Sequence, residues 1–266
     1  MARIVASTKY NMNEEPNELY YLEQYFHQIE KFLPLINTLQ GINILDLGCG
    51  QGRFIQRYLQ IYPQANITGI DISEEAIEYN KKQFIKNNKV GFKVGNYSEI
   101  LDSFPDKSFD IVNFTEVSFF YPEWKNDFPR ILSKLKTNGQ IIFSTRSTYF
   151  NVMTQIAVGN FRDALRISES SEGNISITDP LRFSWNKSQE LIEFFEYHKT
   201  KILSISGVGV CSGIEGDPLS KIATPNSLTI NDREILCKIE NSFSTLIPDN
   251  GRYILVIANK LGINDS

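Results

Sequence analysis

The chain has 266 residues, of which 41% are hydrophobic and 22% are charged. These proportions exclude a disordered or fibrous chain, and the length suits a single α/β domain. The formal net charge of −4 disfavours nucleic acid as the main partner, because it provides no long-range attraction for a polyanion.

Cysteine and histidine are too few and too far apart in the sequence to form a disulfide framework or a metal site. The three cysteines leave an odd number without a paired spacing, and the two histidines, His27 and His198, are far apart in the chain. We therefore expect no disulfide framework and no bound metal. No stretch approaches the ~20 apolar residues of a membrane span, and the start of the chain lacks the apolar core of a secretion signal. The prediction is a cytoplasmic protein with no membrane partner.

Strand and helix patterns alternate along the first part of the chain. Residues 17–37 place Leu19, Leu22, Phe26, Ile29 and Leu33 at spacings of three and four, which predicts an amphipathic helix. Short apolar runs then predict strands at 42–48, 66–72, 91–96, 109–115 and 140–146, and helical periods separate them at 53–62, 73–88 and 124–136. This alternation indicates a parallel sheet, because each crossover must return the chain across it.

The second part of the chain is less regular. A polar stretch interrupts residues 147–200, which we interpret as a lid insertion over the sheet, and apolar runs at 201–210 and 252–260 predict two final strands that can pair antiparallel. We therefore divide a single domain into an N-terminal helical cap (1–40), a core (41–146), the lid (147–200) and C-terminal strands that complete the sheet (201–266).

The segment ILDLGCGQG, from Ile44 to Gly52, carries the strongest indication of ligand binding. Glycines at alternate positions let the chain turn sharply out of a strand and let a ligand lie against the main chain. A nicotinamide-dependent dehydrogenase has a related turn, but its pattern Gly-x-Gly-x-x-Gly requires glycine where this chain has Arg53. The spacing therefore disfavours a dinucleotide.

The DLGCGQG sequence resembles the first motif of class I S-adenosylmethionine-dependent methyltransferases. Four later segments resemble further elements of that family in the same order: Asp71-Ile72, Gly95-Asn96-Tyr97, Asn113 to Glu116, and Leu135 to Gly139. The resemblance implies a doubly wound, Rossmann-like α/β fold whose seven-stranded sheet is mostly parallel with the last strand antiparallel. It also implies S-adenosylmethionine as cofactor and S-adenosylhomocysteine as product.

The same resemblance indicates which residues bind the cofactor. Asp71, at the end of the second predicted strand, is expected to hold both ribose hydroxyls, and Ile72 to pack on adenine. The Asn96 amide oxygen can accept a hydrogen bond from the adenine amino group. Asp46, expensive to bury alone, is expected to contact loop amides or the methionine ammonium. The full predicted set is Asp46, Gly48, Cys49, Gly50, Gly52, Asp71, Ile72, Asn96, Tyr97, Asn113 and Phe114.

Three residues are candidates for catalysis. Glu116 and Tyr121 follow the fourth predicted strand, where a methyl acceptor would lie, and His27 lies beside the apolar stripe of the first helix. A sulfonium methyl is already a strong electrophile, so many methyl transfers need no dedicated base, and in-line placement of the acceptor supplies much of the rate.

The leading hypothesis for function is methylation of a small molecule, on oxygen, nitrogen or carbon, beneath the first helix and residues 147–200. An alternative is methylation of a modified tRNA base, because GNFRDAL (159–165), DPLRFS (179–184) and GRYILVIANK (251–260) are loosely similar to carboxymethoxyuridine tRNA methyltransferases. Lysines that would form a basic face for tRNA are Lys81, Lys82, Lys86, Lys89 and Lys93. A third hypothesis is a cofactor-binding protein without turnover. The sequence indicates neither the acceptor nor the oligomeric state.

Overall fold

A computed structural model of the chain describes residues 12–34, 41–174 and 181–262. A seven-stranded sheet forms its centre, in the order β3-β2-β1-β4-β5-β9-β8. Its strands are β1 (Asn43–Leu47), β2 (Asn66–Asp71), β3 (Val90–Val94), β4 (Phe109–Phe114), β5 (Leu135–Arg146), β8 (Thr200–Val208) and β9 (Tyr253–Lys260). The predicted strands all form, although β5 begins five residues before the predicted start at 140.

The direction of the strands confirms the predicted mixed sheet. β1 pairs in parallel with β2 and β4, β2 with β3, and β4 with β5. β9 runs antiparallel to both of its neighbours, β5 and β8. The order reverses between β1 and β4, and an open α/β sheet binds ligands beyond the carboxyl ends of its strands at such a reversal.

Helices cover both faces of the sheet and divide the core in two. They are α1 (Pro16–Ile29), α2 (Arg53–Ile61), α3 (Glu74–Gln83), α4 (Tyr97–Ile100), α5 (Trp124–Lys134), α6 (Thr148–Ala157), α7 (Phe161–Ser168), α8 (Ser188–Tyr197) and α9 (Ile230–Phe243). One buried cluster joins α1 and α2 to Ile44, Ile142 and Tyr253. The other joins α5 and α8 to Leu45, Phe143 and Val256. Adjacent strand residues thus face opposite layers, as a pleated strand requires.

The first helix, α1, begins at Pro16, with the Glu15 carboxylate accepting a hydrogen bond from the Glu18 backbone. The predicted stripe is buried at Leu22, Phe26, Ile29 and Leu33, but Leu19 is 39% exposed. Its place in the core is taken by aromatic neighbours on the same helix: Tyr20, Tyr21 and Tyr25. Part of the predicted helix, residues 35–37, lies outside the described residues.

The predicted lid at 147–200 has two different parts. α6, α7 and a hairpin of β6 (Glu172–Asn174) and β7 (Arg182–Ser184) form an addition beside the sheet. The last helix of this segment, α8, instead packs on the sheet, with Leu191 and Phe195 fully buried in its core. Residues 188–197 therefore form the crossover helix that leads to β8. The boundaries at residues 40, 146 and 200 stay predictions.

A buried carboxylate connects α9 to α1. Glu240 on α9 is 1% exposed and accepts hydrogen bonds from Tyr20 and Gln24 on α1. It also accepts from the Cys211 backbone at 2.7 Å and from the Ser212 hydroxyl at 3.1 Å. Because every donor is supplied by the protein, this acid holds α1 against the C-terminal part of the sheet. In the described part of the chain, no helix combines the length and apolar character needed to cross a membrane.

Candidate functional site

The predicted cofactor residues converge at one edge of the sheet. Parallel strands β1, β2, β3 and β4 end beside one another, so Leu47, Asp71, Val94 and Phe114 lie along the same carboxyl edge. The loops that leave these strands carry the glycine motif, Ile72, Asn96 and Glu116. The topology therefore assembles into one crevice the motifs that are separate in the sequence.

The glycine loop takes a conformation that favours glycine at all three positions. Gly48, Gly50 and Gly52 have φ angles of 73°, 48° and 78°. A Cβ on Gly48 would lie 2.1 Å from the Val117 side chain, whereas a Cβ on Gly50 would meet no atom within 4 Å. Close packing against the protein thus explains Gly48, and open space for a ligand is found at Gly50.

Asp71 closes the loop from the neighbouring strand. One carboxylate oxygen accepts a 2.7 Å hydrogen bond from the Gly50 amide, and the other accepts a 2.9 Å bond from the Ser73 amide. Burial raises the pKa of Asp71, and backbone donors at Ser73, Gly50 and Ile72 partly offset that rise. Each oxygen retains a lone pair for a ligand hydroxyl, so the carboxylate is held at the crevice in an orientation suited to a ribose.

Asp46 is the most unusual group in the crevice, because it is 1% exposed and only half satisfied. Its Oδ1 accepts a 2.7 Å hydrogen bond from the Asn113 amide, while its Oδ2 has no partner. Burial raises the pKa of Asp46 from 3.8 to about 7, against the lowering effect of the Asn113 hydrogen bond. The predicted contact with loop amides does not occur, which leaves Oδ2 for a cationic ligand group such as an ammonium.

Asn113 is fixed in place by the protein on all sides. Its amide donates to Asp46 and, at 3.0 Å, to Thr115, and its oxygen accepts from the Tyr58 hydroxyl at 3.3 Å. Because this side chain is fully buried and fully used, its role is to orient Asp46. Phe114 is also fully buried and presents only its backbone to the crevice.

The other predicted cofactor residues differ in what they offer a ligand. Ile72 is 77% exposed, so its apolar side chain is uncovered beside Asp71. The Asn96 oxygen already accepts a 3.0 Å hydrogen bond from Ser98 as the cap of α4. Tyr97 packs its ring on Phe114 at 5.0 Å between centroids, and Cys49 lies beneath the loop against Gly69 and Asn80. Burial raises the pKa of the Cys49 thiol, which disfavours the reactive thiolate.

An ion-pair network anchors α1 to the crevice. Arg53, the first residue of α2, donates to the Glu18 carboxylate at 2.7 Å and also pairs with Glu116. Burial lowers the pKa of Arg53, but the two carboxylates outweigh burial and raise it overall. In the sequence, Arg53 is notable only because it occupies the position where a dinucleotide-binding loop has glycine. Its pairing depends on residues 35 positions before it and 63 after it, which no local pattern reveals.

Glu116 is the one predicted catalytic residue that lies in this network. Its φ of 59° is unusual for a residue with a side chain, and its amide donates to the Ser144 hydroxyl at 2.9 Å. The Oε1 atom of Glu116 is buried without a hydrogen-bond partner. Burial raises the pKa of Glu116, although Arg53 acts in the opposite direction. A held but half-satisfied carboxyl at a strand end is suited to accept a proton or a hydrogen bond.

The other two predicted catalytic residues are not brought to Glu116. His27 is exposed on α1, next to the buried Phe26, and partial burial of its ring lowers its pKa. Its role as a base stays a prediction. Tyr121 packs on Tyr97 at 5.4 Å in the core layer of α5, across the sheet from the cluster that contains α1.

Two surface cavities lie away from the crevice. One of about 410 Å³ is lined by Pro63, Gln64, Gln83, Phe84 and residues 86–89, at the amino ends of β2 and β3. Another of about 480 Å³ lies between α6 and the start of α8, lined by Thr148, Lys187 and Asp249 among others. Neither includes a residue of the glycine loop, so we place the site by its chemistry and topology.

Comparisons with known proteins agree with this geometry. A family model described as a methyltransferase domain matches residues 39–196. An uncharacterized protein of Haemophilus influenzae is 36% identical over 125 residues, which are 44% of this chain and 47% of that protein. The malonyl-(acyl-carrier protein) O-methyltransferase 2 of Ilyobacter polytropus is 34% identical over 130 residues, which are 47% of this chain and 49% of that protein. The chain spans about half the length of the curated relatives it matches.

The solved structures extend the comparison to the whole fold. An S-adenosylmethionine-dependent methyltransferase from Mesorhizobium loti superposes with a TM-score of 0.57 at 15% identity, over 94% of this chain and 100% of that one. At this identity the likeness shows the fold alone. The family model covers more than half of the residues, so the chain belongs to the methyltransferase-domain family, which confirms the predicted S-adenosylmethionine-dependent class and its cofactor.

Proposed function

We propose that this protein transfers a methyl group from S-adenosylmethionine to a small-molecule acceptor. The observation that carries the proposal is the meeting of three features at one sheet edge. These are the open space at Gly50, the Asp71 carboxylate beside it and the unpartnered Oδ2 of Asp46. The space at Gly50 would let one amino-acid-bearing nucleoside lie against the main chain, with its ribose at Asp71 and its ammonium at Asp46.

The chain's own residues divide the cofactor between them. Asp46 would hold the ammonium, Asp71 the ribose hydroxyls, and Ile72 the face of the adenine. Gln51 supports the loop from below, since Asn13 donates to its carbonyl at 3.0 Å and Met12 to its side chain at 2.7 Å. When bound, S-adenosylmethionine supplies an electrophilic methyl group on sulfur.

The acceptor would lie past β4, where the Glu116 Oε1 atom is unpartnered. A buried carboxylate with a raised pKa is a better proton acceptor than an exposed one, so Glu116 is assigned as the base for an acceptor hydroxyl or amine. The network of Glu116, Arg53 and Glu18 closes α1 over this end of the crevice. Together with α6, α7 and the β6-β7 hairpin, α1 would limit the acceptor to a small molecule.

The tRNA alternative has less support. The five lysines of the predicted basic face are all exposed, but Lys86 and Lys89 lie with Gln64 at the amino ends of β2 and β3. A nucleic acid on that surface would be at the opposite edge of the sheet from the glycine loop. Residues 179 and 180, which begin one of the segments similar to tRNA methyltransferases, lie outside the described residues.

Calorimetric titration with S-adenosylhomocysteine tests the cofactor site. We expect binding by the wild-type protein, at least about tenfold weaker binding by Asp71→Asn, and unchanged binding by Asp102→Asn, which alters an exposed acid. Absence of binding at high micromolar ligand would contradict the proposal.

Release of S-adenosylhomocysteine during incubation with a panel of small hydroxylated and amino acceptors tests turnover. The same assay with total tRNA separates the two acceptor classes. If no S-adenosylhomocysteine is released with any acceptor of either class, the third hypothesis, a binding protein without turnover, would be favoured.

A further inference from the structure

Arg146, a partly buried arginine, stands apart from the other arginines near the crevice. It is the last residue of β5, and its guanidinium carbon lies 4.7 Å from the centroid of the Tyr253 ring and 5.0 Å from that of Phe119. Its Nε is buried without a hydrogen-bond acceptor. Among the described residues, the guanidinium makes no ion pair and no hydrogen bond.

The neighbouring arginines show what this position lacks. Arg53 pairs with Glu18 and Glu116, and Arg252 pairs with Asp217. Glu18 and Glu116 each direct one carboxylate oxygen to Arg53, and Asp217 directs one to Arg252. Glu116 and Asp217 also act on Arg146 at longer range. Burial lowers the pKa of Arg146, with Arg252 acting in the same direction. A cation with a buried donor is normally paired, because desolvation without a counter-charge is costly, so the unpaired Arg146 beside a site points to an anionic ligand.

The place of Arg146 in the sheet selects which part of a ligand it meets. Adenine and ribose would lie at the ends of β2 and β3, and the ammonium at the end of β1. β5 lies on the other side of β4, beyond Glu116. Arg146 and Phe119 both belong to the layer under α1, which is the acceptor side of the crevice.

We infer that Arg146 binds a carboxylate of the methyl acceptor, whose apolar body lies against Phe119 and Tyr253. The planar guanidinium edge can donate two parallel hydrogen bonds to a carboxylate. A dianionic phosphate would add a second charge beside Glu116 without a second free cation. The unpartnered Oε1 of Glu116 would take the hydroxyl or amine that receives the methyl group. The inference rests on the proposed function and names its substrate class.

The methionine carboxylate of the cofactor is a second source of the same chemistry. If it were the ligand of Arg146, loss of the guanidinium would weaken S-adenosylhomocysteine but not 5′-methylthioadenosine, which lacks the amino-acid part. If the acceptor supplies the carboxylate, neither nucleoside is affected. The two sources are therefore distinguished by measuring both affinities.

The test uses the full chain saturated with S-adenosylhomocysteine and titrated with matched acids and amides. The pairs are benzoate and benzamide, 4-hydroxybenzoate and 4-hydroxybenzamide, and hexanoate and hexanamide. The variants are Arg146→Gln, Arg146→Lys and, as a matched control for charge, Arg162→Gln on the exposed surface of α7. Thermal unfolding of each variant verifies that it is folded.

We expect the wild-type protein to bind at least one acid about tenfold more tightly than its amide, because an ionised partner strengthens the hydrogen bonds. Arg146→Gln should abolish this preference, Arg146→Lys should retain part of it, and Arg162→Gln should retain all of it. Both nucleosides should bind Arg146→Gln as they bind the wild type.

Binding of no acid, equal binding of acid and amide, or a preference that survives Arg146→Gln would each overturn the inference. If Arg146→Gln weakened binding of S-adenosylhomocysteine but not of 5′-methylthioadenosine, the inference would be overturned and the ligand of Arg146 would be the cofactor carboxylate. Failure of the wild type to bind either nucleoside would instead overturn the proposed function itself.

Discussion

Replacement of Asp46 by asparagine should stabilise the protein without ligand while weakening its cofactor. The rise of the Asp46 pKa from 3.8 to about 7 corresponds to ~4 kcal/mol of unfavourable burial once the group is ionised, at about 1.4 kcal/mol per pH unit. Asp46→Asn keeps an oxygen for Asn113 but places an amide where Oδ2 has no partner, at a cost of ~1–3 kcal/mol. The net gain expected at pH 8 is therefore ~1–3 kcal/mol.

The sign of the pH dependence follows from the direction of the shift. Between pH 4 and 7 the folded wild type binds more protons at Asp46 than the unfolded chain, so its free energy of unfolding falls as pH rises through this window. Asp46→Asn lacks that group, and its advantage should grow from pH 5 to pH 8. For a chain of this size each 1 kcal/mol moves the melting temperature by about 2–4 °C.

Denaturant unfolding at pH 5, 6, 7 and 8 measures this difference, and calorimetry with S-adenosylhomocysteine measures the expected loss of affinity. Glu99→Gln, a change at an exposed acid, is the matched control and should follow the wild type. If Asp46→Asn and the wild type keep parallel stability profiles across this range, then Asp46 is not a half-satisfied buried carboxylate and the argument for an ammonium site fails.

Other substitutions separate packing from binding. Gly48→Ala should lower the free energy of unfolding by about 2–5 kcal/mol, because its Cβ meets Val117 at a positive φ. Gly50→Ala should cost only ~1–2 kcal/mol in the same denaturant titration but reduce cofactor affinity by about tenfold, and equal effects of the two would contradict the assignment. Glu116→Gln should lower kcat more than it changes KM, and the wild-type rate should fall as pH drops through the raised pKa of this acid; an unchanged pH–rate profile in the variant would remove it as the base. Glu240→Gln should destabilise the fold by ~2–4 kcal/mol in urea, and a neutral result would show that its donors find other acceptors.

Local chemistry made the cofactor half of the site predictable from sequence. The glycine loop depends on backbone conformation within nine residues, and Asp71 is the last residue of its strand, so both are set by neighbours in the chain. The strand order then needs only the alternation of strands and helices. Ile72 is the next residue in the chain, so the position of its exposed apolar side chain beside Asp71 is also set locally.

The acceptor half was not predictable in this way. Arg146 lies opposite Tyr253 in the antiparallel register, and its surroundings depend on a strand more than one hundred residues later in the chain. Glu116 and Tyr121 are close in sequence, yet a turn sends their side chains to different core layers. His27 was an attractive base because imidazoles are rare here, but helical phase turns it outward. Such pairings arise from topology and have no local signature.

The hydrogen bonds between Glu240 and α1 have a consequence for the order in which the protein folds. Gln24 and Glu240 are separated by 216 residues, so α1 is synthesised long before the acid that holds it. A nascent chain can fold the early strands and the glycine turn, but it cannot fasten its entrance helix until α9 has left the ribosome. Attachment of α1 through Glu240 is therefore a late event in the folding of this domain.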